Sequence, residues 1–211
     1  MVDAYLRRSP LAHRGLPARA LESAVGRSDA GVVLGERPHG CQVNLRGKAA
    51  DPAFLARVLS AIGLNLPIVA NTTTSDGGVT ALWLGPDEWL ITARPGRETE
   101  IAGKLQDAVA GLFAAVTDVS EARTVIFVGG PRARDLLAKA TSLDLHPRAF
   151  RAGLCAQTGF ARTNMILLQT LDDGAPGGPA YEIFIADSFA DYAWQWLEAA
   201  GADYGIAIAE G

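Results

Sequence analysis

The residue types that most often carry chemistry are sparse in this chain and poorly spaced for it. His13, His39 and His146 stand in no ligand spacing to one another or to a cysteine, so the sequence supports neither a zinc site nor metal-assisted hydrolysis. Ser120 and Ser188 lack the Gly-x-Ser-x-Gly elbow that would expose a nucleophile to a base. Ser188, three residues before Asp191, reads instead as one half of a helix capping box. The carboxylate pairs Asp87/Glu88 and Asp118/Glu121 could do acid or base work, but turn capping and ion pairing with Arg123 is the simpler account. GVVLGERPHG (31–40) has no following Lys-Ser or Lys-Thr, and Val128-Gly129-Gly130 runs into Pro131 rather than a Gly-x-Gly-x-x-Gly pattern. A tight turn into a helix suits Gly129 and Gly130 better than a phosphate cradle does. No catalytic, cofactor-binding or metal-ligating residue is assigned.

Two other features need a reading. Arg132, Arg134, Arg148, Arg151 and Arg162 bias the second half positive, and could meet an acidic ligand such as a polyglutamylated cofactor or an acidic face of another subunit. With no aromatic cage or nucleophile beside them, the subunit is preferred. Trp194 lies, at 100° per residue, on a flank away from Phe189 and Trp196. Burial at a broad core face and an intermolecular contact both remain open for it. As an exposed anchor, Trp194→Asp would weaken assembly more than folding. Cys41 and Cys155 read as small buried hydrophobes, not as a disulfide.

The elements that must position these residues follow from composition and periodicity. At 211 residues and 49% hydrophobic against 20% charged, the chain can bury a core without disulfides or a structural metal. A net charge of -4 argues against nucleic acid as the main partner. No apolar run reaches the ~20 residues that span a bilayer, and MVDAYLRRSPLAHRG lacks a secretory apolar region, so a soluble, cytoplasmic protein is expected. With 23 glycines and 11 prolines, many short elements are favoured over a helical bundle.

Residues 1–30, with Arg7, Arg8, Arg14, Arg19 and Arg27, read as an N-terminal arm, either frayed or ordered by a partner. Order is expected from Gly31. VVLGE and CQVNLRG are extended runs, the second alternating Cys41, Val43 and Leu45 with Gln42, Asn44 and Arg46. Asp51 caps a helix with Pro52 in its first turn and Gly63 as its stop, and Phe54, Leu55, Val58, Leu59 and Ile62 recur at helical spacing. Strands follow at 80–84 and 89–92 around the Gly85-Pro86 turn, then a helix at 97–112 with an Ile101, Leu105, Val109 and Leu112 stripe.

The second half repeats this order. Strands are expected at 116–119 and 124–128, and a helix from Pro131 through Leu136, Leu137 and Lys139. Further strands fall at 155–162, 164–170 and 181–185. A last helix places Phe189, Tyr192, Trp196 and Leu197 on its inner face and ends at Gly201, before an edge strand at 204–208. The expected fold class is α+β, with two tandem pseudosymmetric sheet-and-helix units, 31–114 and 115–211.

Four stretches in order resemble the gamma subunit of heterotetrameric sarcosine oxidase. They are LWLGPDEWLI (82–91), VTDVSEARTVIFVGGPRARDLLAK (116–139), LDLHPRAFRAGLCAQT (143–158) and YEIFIADSFADYAWQWLEAAG (181–201). That family is similar to the folate-binding region of the glycine-cleavage aminomethyltransferase, which implies the same fold here. The resemblance implies a non-catalytic structural subunit packed against alpha, beta and delta subunits. In such an enzyme the beta subunit carries FAD and covalent FMN, alpha binds NAD and tetrahydrofolate, and delta carries zinc. Sarcosine becomes glycine, its methyl carbon passes to tetrahydrofolate or leaves as formaldehyde, and oxygen becomes hydrogen peroxide. A gamma subunit serving N-methylglutamate or another N-methyl amino acid would read much the same. A free-standing folate-dependent protein is disfavoured on two counts. The chain ends at Gly211 without a C-terminal barrel, and LCAQTGFAR (154–162) stands where a KGCYxGQ-like stretch is expected. A small ligand-binding module is the remaining alternative.

Overall fold

The computed structural model describes residues 7–25 and 30–209. The chain forms two compact units, taken as far as their residues are described. One holds Met1–His39, Ala122–Ala152 and Gln157–Gly211; the other holds Gly40–Glu121 and Gly153–Ala156. This division differs from the expected tandem boundary at 114/115, because strand pairing carries segments across it.

The second unit is built on a five-stranded antiparallel sheet. Its strands are β2 (Cys41–Arg46), β3 (Thr73–Asp76), β4 (Val79–Gly85), β5 (Glu88–Ala93) and β6 (Ala115–Asp118), in spatial order β3-β4-β5-β2-β6. The β6 strand, expected to open the second repeat, pairs with β2 through Val43↔Asp118 and Leu45↔Val116. Helices α2 (Pro52–Ile62) and α3 (Glu98–Ala108) complete the unit. The α2 ends are local chemistry: Asp51 Oδ1 accepts the Ala53 N–H at 2.9 Å, and Gly63, at φ 70°, donates its N–H to the Leu59 carbonyl. Phe54 and Val58 enter the core with Cys41, Val43, Leu45, Trp89, Ile91, Ile101 and Leu105. Leu59, placed in the sequence stripe, is exposed. The short edge strand β3 carries no apolar alternation and was not expected.

The other unit holds a six-stranded sheet, in order β11-β1-β7-β10-β9-β8. Its strands are β1 (Val32–Arg37), β7 (Arg123–Gly129), β8 (Cys155–Phe160), β9 (Thr163–Leu171), β10 (Ala180–Ala186) and β11 (Ile206–Ile208). Strand β1 pairs antiparallel with β7 and parallel with β11, so the first strand in the chain is seated inside the sheet of the second half. The edge strand expected at 204–208 starts only at Ile206, after a 3-10 turn at Ala202–Tyr204.

Helices α1 (Leu16–Val25), α4 (Ala133–Ala138) and α5 (Asp187–Gly201) belong to this unit. Over 7–25 the N-terminal segment is ordered by the chain itself rather than frayed, with Leu11, Leu16 and Ala20 buried in its own unit and Leu21 exposed. Ser23 Oγ accepts the Ile208 N–H at 3.0 Å, and Arg19 pairs with Glu198. Arg27 lies outside the described residues.

The inner face of α5 is also corrected. Ala190, Ala193, Trp194, Leu197 and Gly201 point inward, whereas Phe189 and Tyr192 are 45% and 36% exposed. Positions 190, 193, 194, 197 and 201 form one helical stripe. Its alanines let the backbone approach the sheet, and they carry a weaker sequence signal than the aromatics. Trp194 is fully buried, so the exposed-anchor reading falls. Ser188 does not cap this helix: β10 turns into it at Ala186 with no side-chain cap, and Asp187 N–H donates to the Ala122 carbonyl at 3.2 Å.

Candidate functional site

The residues weighed for chemistry serve mainly as structural partners. Ser120 is buried, donates its hydroxyl to Asp118 Oδ1 at 2.6 Å and accepts the Gln42 N–H at 2.9 Å. Asp118 Oδ1 also accepts the Ser120 N–H at 3.0 Å, the turn capping expected of it. Glu88 joins β5 to β2, accepting from Asn44 Nδ2 at 2.8 Å and Arg46 Nη2 at 2.6 Å, with Asp87 3.8 Å from Arg46. Burial pushes the Cys41 thiol up to about 12, with Glu98 adding to the rise, and burial alone pushes Cys155 up to about 11. A thiol held this far above neutrality is a poor nucleophile. Both cysteines are buried and free, as read from the sequence.

Gly130 makes a tight turn into α4. At φ 113°, a Cβ there would meet the Gly31 carbonyl oxygen at 2.5 Å, so the backbones are in contact where a cradle would need room. Among the described residues, no three His, Cys, Asp or Glu side chains gather in a group that could hold a metal ion.

The structure creates one constellation that the sequence does not signal. His13 Nε2 lies 2.7 Å from Asp191 Oδ1, across 178 positions. The same oxygen accepts from Arg14 Nε at 2.6 Å, and Gln195 Nε2 donates to Oδ2 at 2.6 Å. The Arg14 hydrogen bond leads in holding the Asp191 carboxyl below the usual range, with His13 and Gln195 adding to it. Among the described residues no nucleophilic side chain bonds to His13. The cluster fastens the N-terminal segment to α5.

The five arginines do not form one patch. Arg134 pairs with Asp173. Arg132 lies 3.0 Å from Asp135 and 4.8 Å from the Tyr204 ring centroid. Arg148, Arg151 and Arg162 are exposed. Open depressions mark the β1 unit, among them two with polar side chains on their walls. One, of about 470 Å³, runs along β8–β10 to Phe189, with Arg123, Thr158 and Asn164 on its walls. The other, of about 540 Å³, reaches Glu36, a buried carboxylate that accepts from Thr124 Oγ1 at 2.8 Å and from Ser9 Oγ.

A profile of the family described as sarcosine oxidase, gamma subunit, matches residues 46–203. The chain belongs to the sarcosine oxidase gamma subunit family. It is 32% identical over 209 residues to the sarcosine oxidase subunit gamma of Corynebacterium sp. (strain U-96), covering 98% of this chain and 96% of that one. It also superposes on a chain of the heterotetrameric sarcosine oxidase from Corynebacterium sp. U-96, solved in complex with pyrrole 2-carboxylate. The TM-score is 0.80 at 30% identity, covering 94% of this chain and 96% of that chain. The glycine cleavage system aminomethyltransferase T from Bartonella henselae is similar in fold, with a TM-score of 0.68 at 16% identity, covering 97% of this chain and 59% of that chain. The two-sheet α+β architecture of this gamma-family chain is thus the one its aminomethyltransferase-like sequence implied.

Proposed function

We propose that this chain is a non-catalytic, structural gamma subunit of a cytoplasmic heterotetrameric sarcosine oxidase, assembled with alpha, beta and delta subunits. The observation that carries the reading is the near end-to-end correspondence with a chain of the U-96 heterotetramer. In this reading the partners hold FAD, FMN, NAD, tetrahydrofolate and zinc, and perform the oxidation of sarcosine to glycine. The methyl carbon passes to tetrahydrofolate or leaves as formaldehyde, and oxygen is reduced to hydrogen peroxide. This chain's own contribution is a folded surface. Raised thiols and carboxylates committed to capping or ion pairs suit that role.

Co-expression of the other three subunits with and without this chain tests it, read by subunit recovery on a sizing column and peroxide release from sarcosine. Loss of a stable four-subunit oxidase without the chain is the expected result. Normal assembly and turnover in its absence, or flavin bound to the isolated chain, overturns the reading. Activity with another N-methyl amino acid in place of sarcosine would keep the structural role and change the substrate. Tight tetrahydrofolate binding by the isolated chain would favour the free-standing folate protein.

A further inference from the structure

Glu36, on β1, is only 7% exposed, yet it stands on the wall of the open depression of about 540 Å³. Two neutral groups hold its carboxylate. Thr124 Oγ1, on the neighbouring β7, donates to Oε1 at 2.8 Å, and Ser9 Oγ donates to Oε2. The Ser9 hydroxyl also accepts the Leu11 N–H at 2.9 Å, which leaves its own proton for the carboxylate. Arg37, the next residue, pairs with Glu182, and His13 and Arg14, which follow Leu11 and Ala12 of the depression's wall, bond to Asp191. Among the described residues Glu36 thus meets hydroxyls and no cation.

A carboxylate taken out of water and held by neutral partners is costly, and the same low dielectric strengthens its pull on any cation that reaches it. Each oxygen keeps a second lone pair beyond the one its hydroxyl uses. The other walls are apolar, with Leu11, Leu16, Pro17 and Pro38 among them. We propose that this recess is a binding site for an aliphatic ammonium, whose N–H groups bond to Glu36 while its hydrocarbon stem lies along the apolar walls. The depression has the size of a small-molecule site and the usual pattern of one charged group among apolar ones.

The lining selects against other ligands. A calcium or magnesium ion needs about six oxygen ligands, and Glu36 and Ser9 carry the only side-chain oxygens among the described residues of these walls. An amino acid brings a carboxylate as well, and the same walls offer it no Lys, Arg or His. The ligand is therefore a monoamine, or the same group at the end of a partner's lysine side chain. The recess lies within the β1 unit and does not depend on the subunit role proposed above.

Methyl NMR of the full chain titrated with butylammonium chloride is the test, with 1-butanol and butyrate as its neutral and anionic counterparts. Saturable shifts at Leu11, Leu16 and Ala209 with the amine, and none with the counterparts, are expected. Glu36→Gln should weaken amine binding roughly 10–100-fold, the worth of a charge-assisted hydrogen bond. Ala12→Trp, at an exposed position on the wall, should block the recess while leaving Tm unchanged. It decides the matter if the Glu36 variant does not fold. No saturation with the amine, equal binding of 1-butanol, or amine binding that survives either substitution overturns the proposal. The same titration on the assembled complex separates the sources. Binding retained there supports a free amine, and binding lost there, with a partner's lysine nitrogen on Glu36 in the crystal, supports the side chain.

Discussion

Each unit buries one tryptophan completely, and the two indole nitrogens are treated in opposite ways. Trp89, on β5, donates Nε1–H to the Pro67 carbonyl at 2.8 Å and packs beside Phe54 with ring centroids 5.7 Å apart. Trp194, on α5, buries an indole N–H that meets no acceptor among the described residues. The first ring is therefore fixed in direction as well as volume, since its hydrogen bond ties β5 to the 64–72 segment. The second, among the described residues, is held by shape, set between Ala190, Ala193 and Leu197 on the inward stripe. A buried donor left unpaired costs about 1–3 kcal/mol, so the Trp194 site gives up part of what its hydrophobic burial contributes.

The largest expected effect is at Trp194→Asp, which would place a carboxylate without a partner in a fully buried site. A loss of at least about 4 kcal/mol is expected, read as a Tm drop of roughly 8–16 °C for a chain of this size. A variant that melts like the parent but fails to assemble would break the comparison and return Trp194 to the surface.

A smaller effect separates the two tryptophans from each other. Trp89→Phe removes volume and leaves the Pro67 carbonyl without its donor, for an expected loss of about 2–4 kcal/mol. Trp194→Phe removes similar volume together with an unsatisfied N–H, so its loss should be smaller by about 1 kcal/mol or more. Urea unfolding of both variants gives the ranking, and the reverse order would mean that Trp194 Nε1 has found an acceptor.

The smallest effect extends the comparison to the acids of the two units. Glu100, on α3, is held at about 2 by hydrogen bonds from Arg97 and then Lys104, both within four positions. Asp191 is lowered by Arg14 and then His13, from the opposite end of the chain. Both carboxyls are depressed in the folded state, so the stability they contribute is present above their unfolded values, near 4, and is lost as pH falls through the folded ones. Carboxyl NMR titration should find the Glu100 midpoint near 2. As pH falls through the lowered folded-state value of Asp191, hydrogen exchange should rise in 12–20 as its tie is lost, while α3 loses only a pair within its own helix. Equal exchange in both segments would deny Asp191 its fastening role.

Much of the local structure was legible in the sequence because its causes lie within a few residues of their effects. Asp51, Pro52 and Gly63 bound α2 through their own backbone geometry, and the alternation of Cys41, Val43 and Leu45 marks β2 wherever that strand is placed. Capping and turn chemistry also accounted for Asp118, a residue that could have been taken for an acid or base. Raised cysteine pKa values follow from burial, which their apolar reading implied.

Pairing and helix phase were settled elsewhere. Nothing within Val32–Arg37 specifies that its neighbours will be β7 and β11, more than 85 positions away, because any strand offers the same backbone donors and acceptors. The α5 stripe depends on which residues fit against the sheet, and there close approach favoured Ala190 and Ala193 over the larger Phe189 and Tyr192. Asp191 gains its role only when Arg14 arrives from 177 positions earlier. The sequence by itself determined where elements begin and end and which side chains prefer burial, through caps, turns and apolar period. Which strands became neighbours, which face of α5 turned inward and which charges met were decided by the tertiary structure, because burial and hydrogen bonding are satisfied over the whole sheet at once.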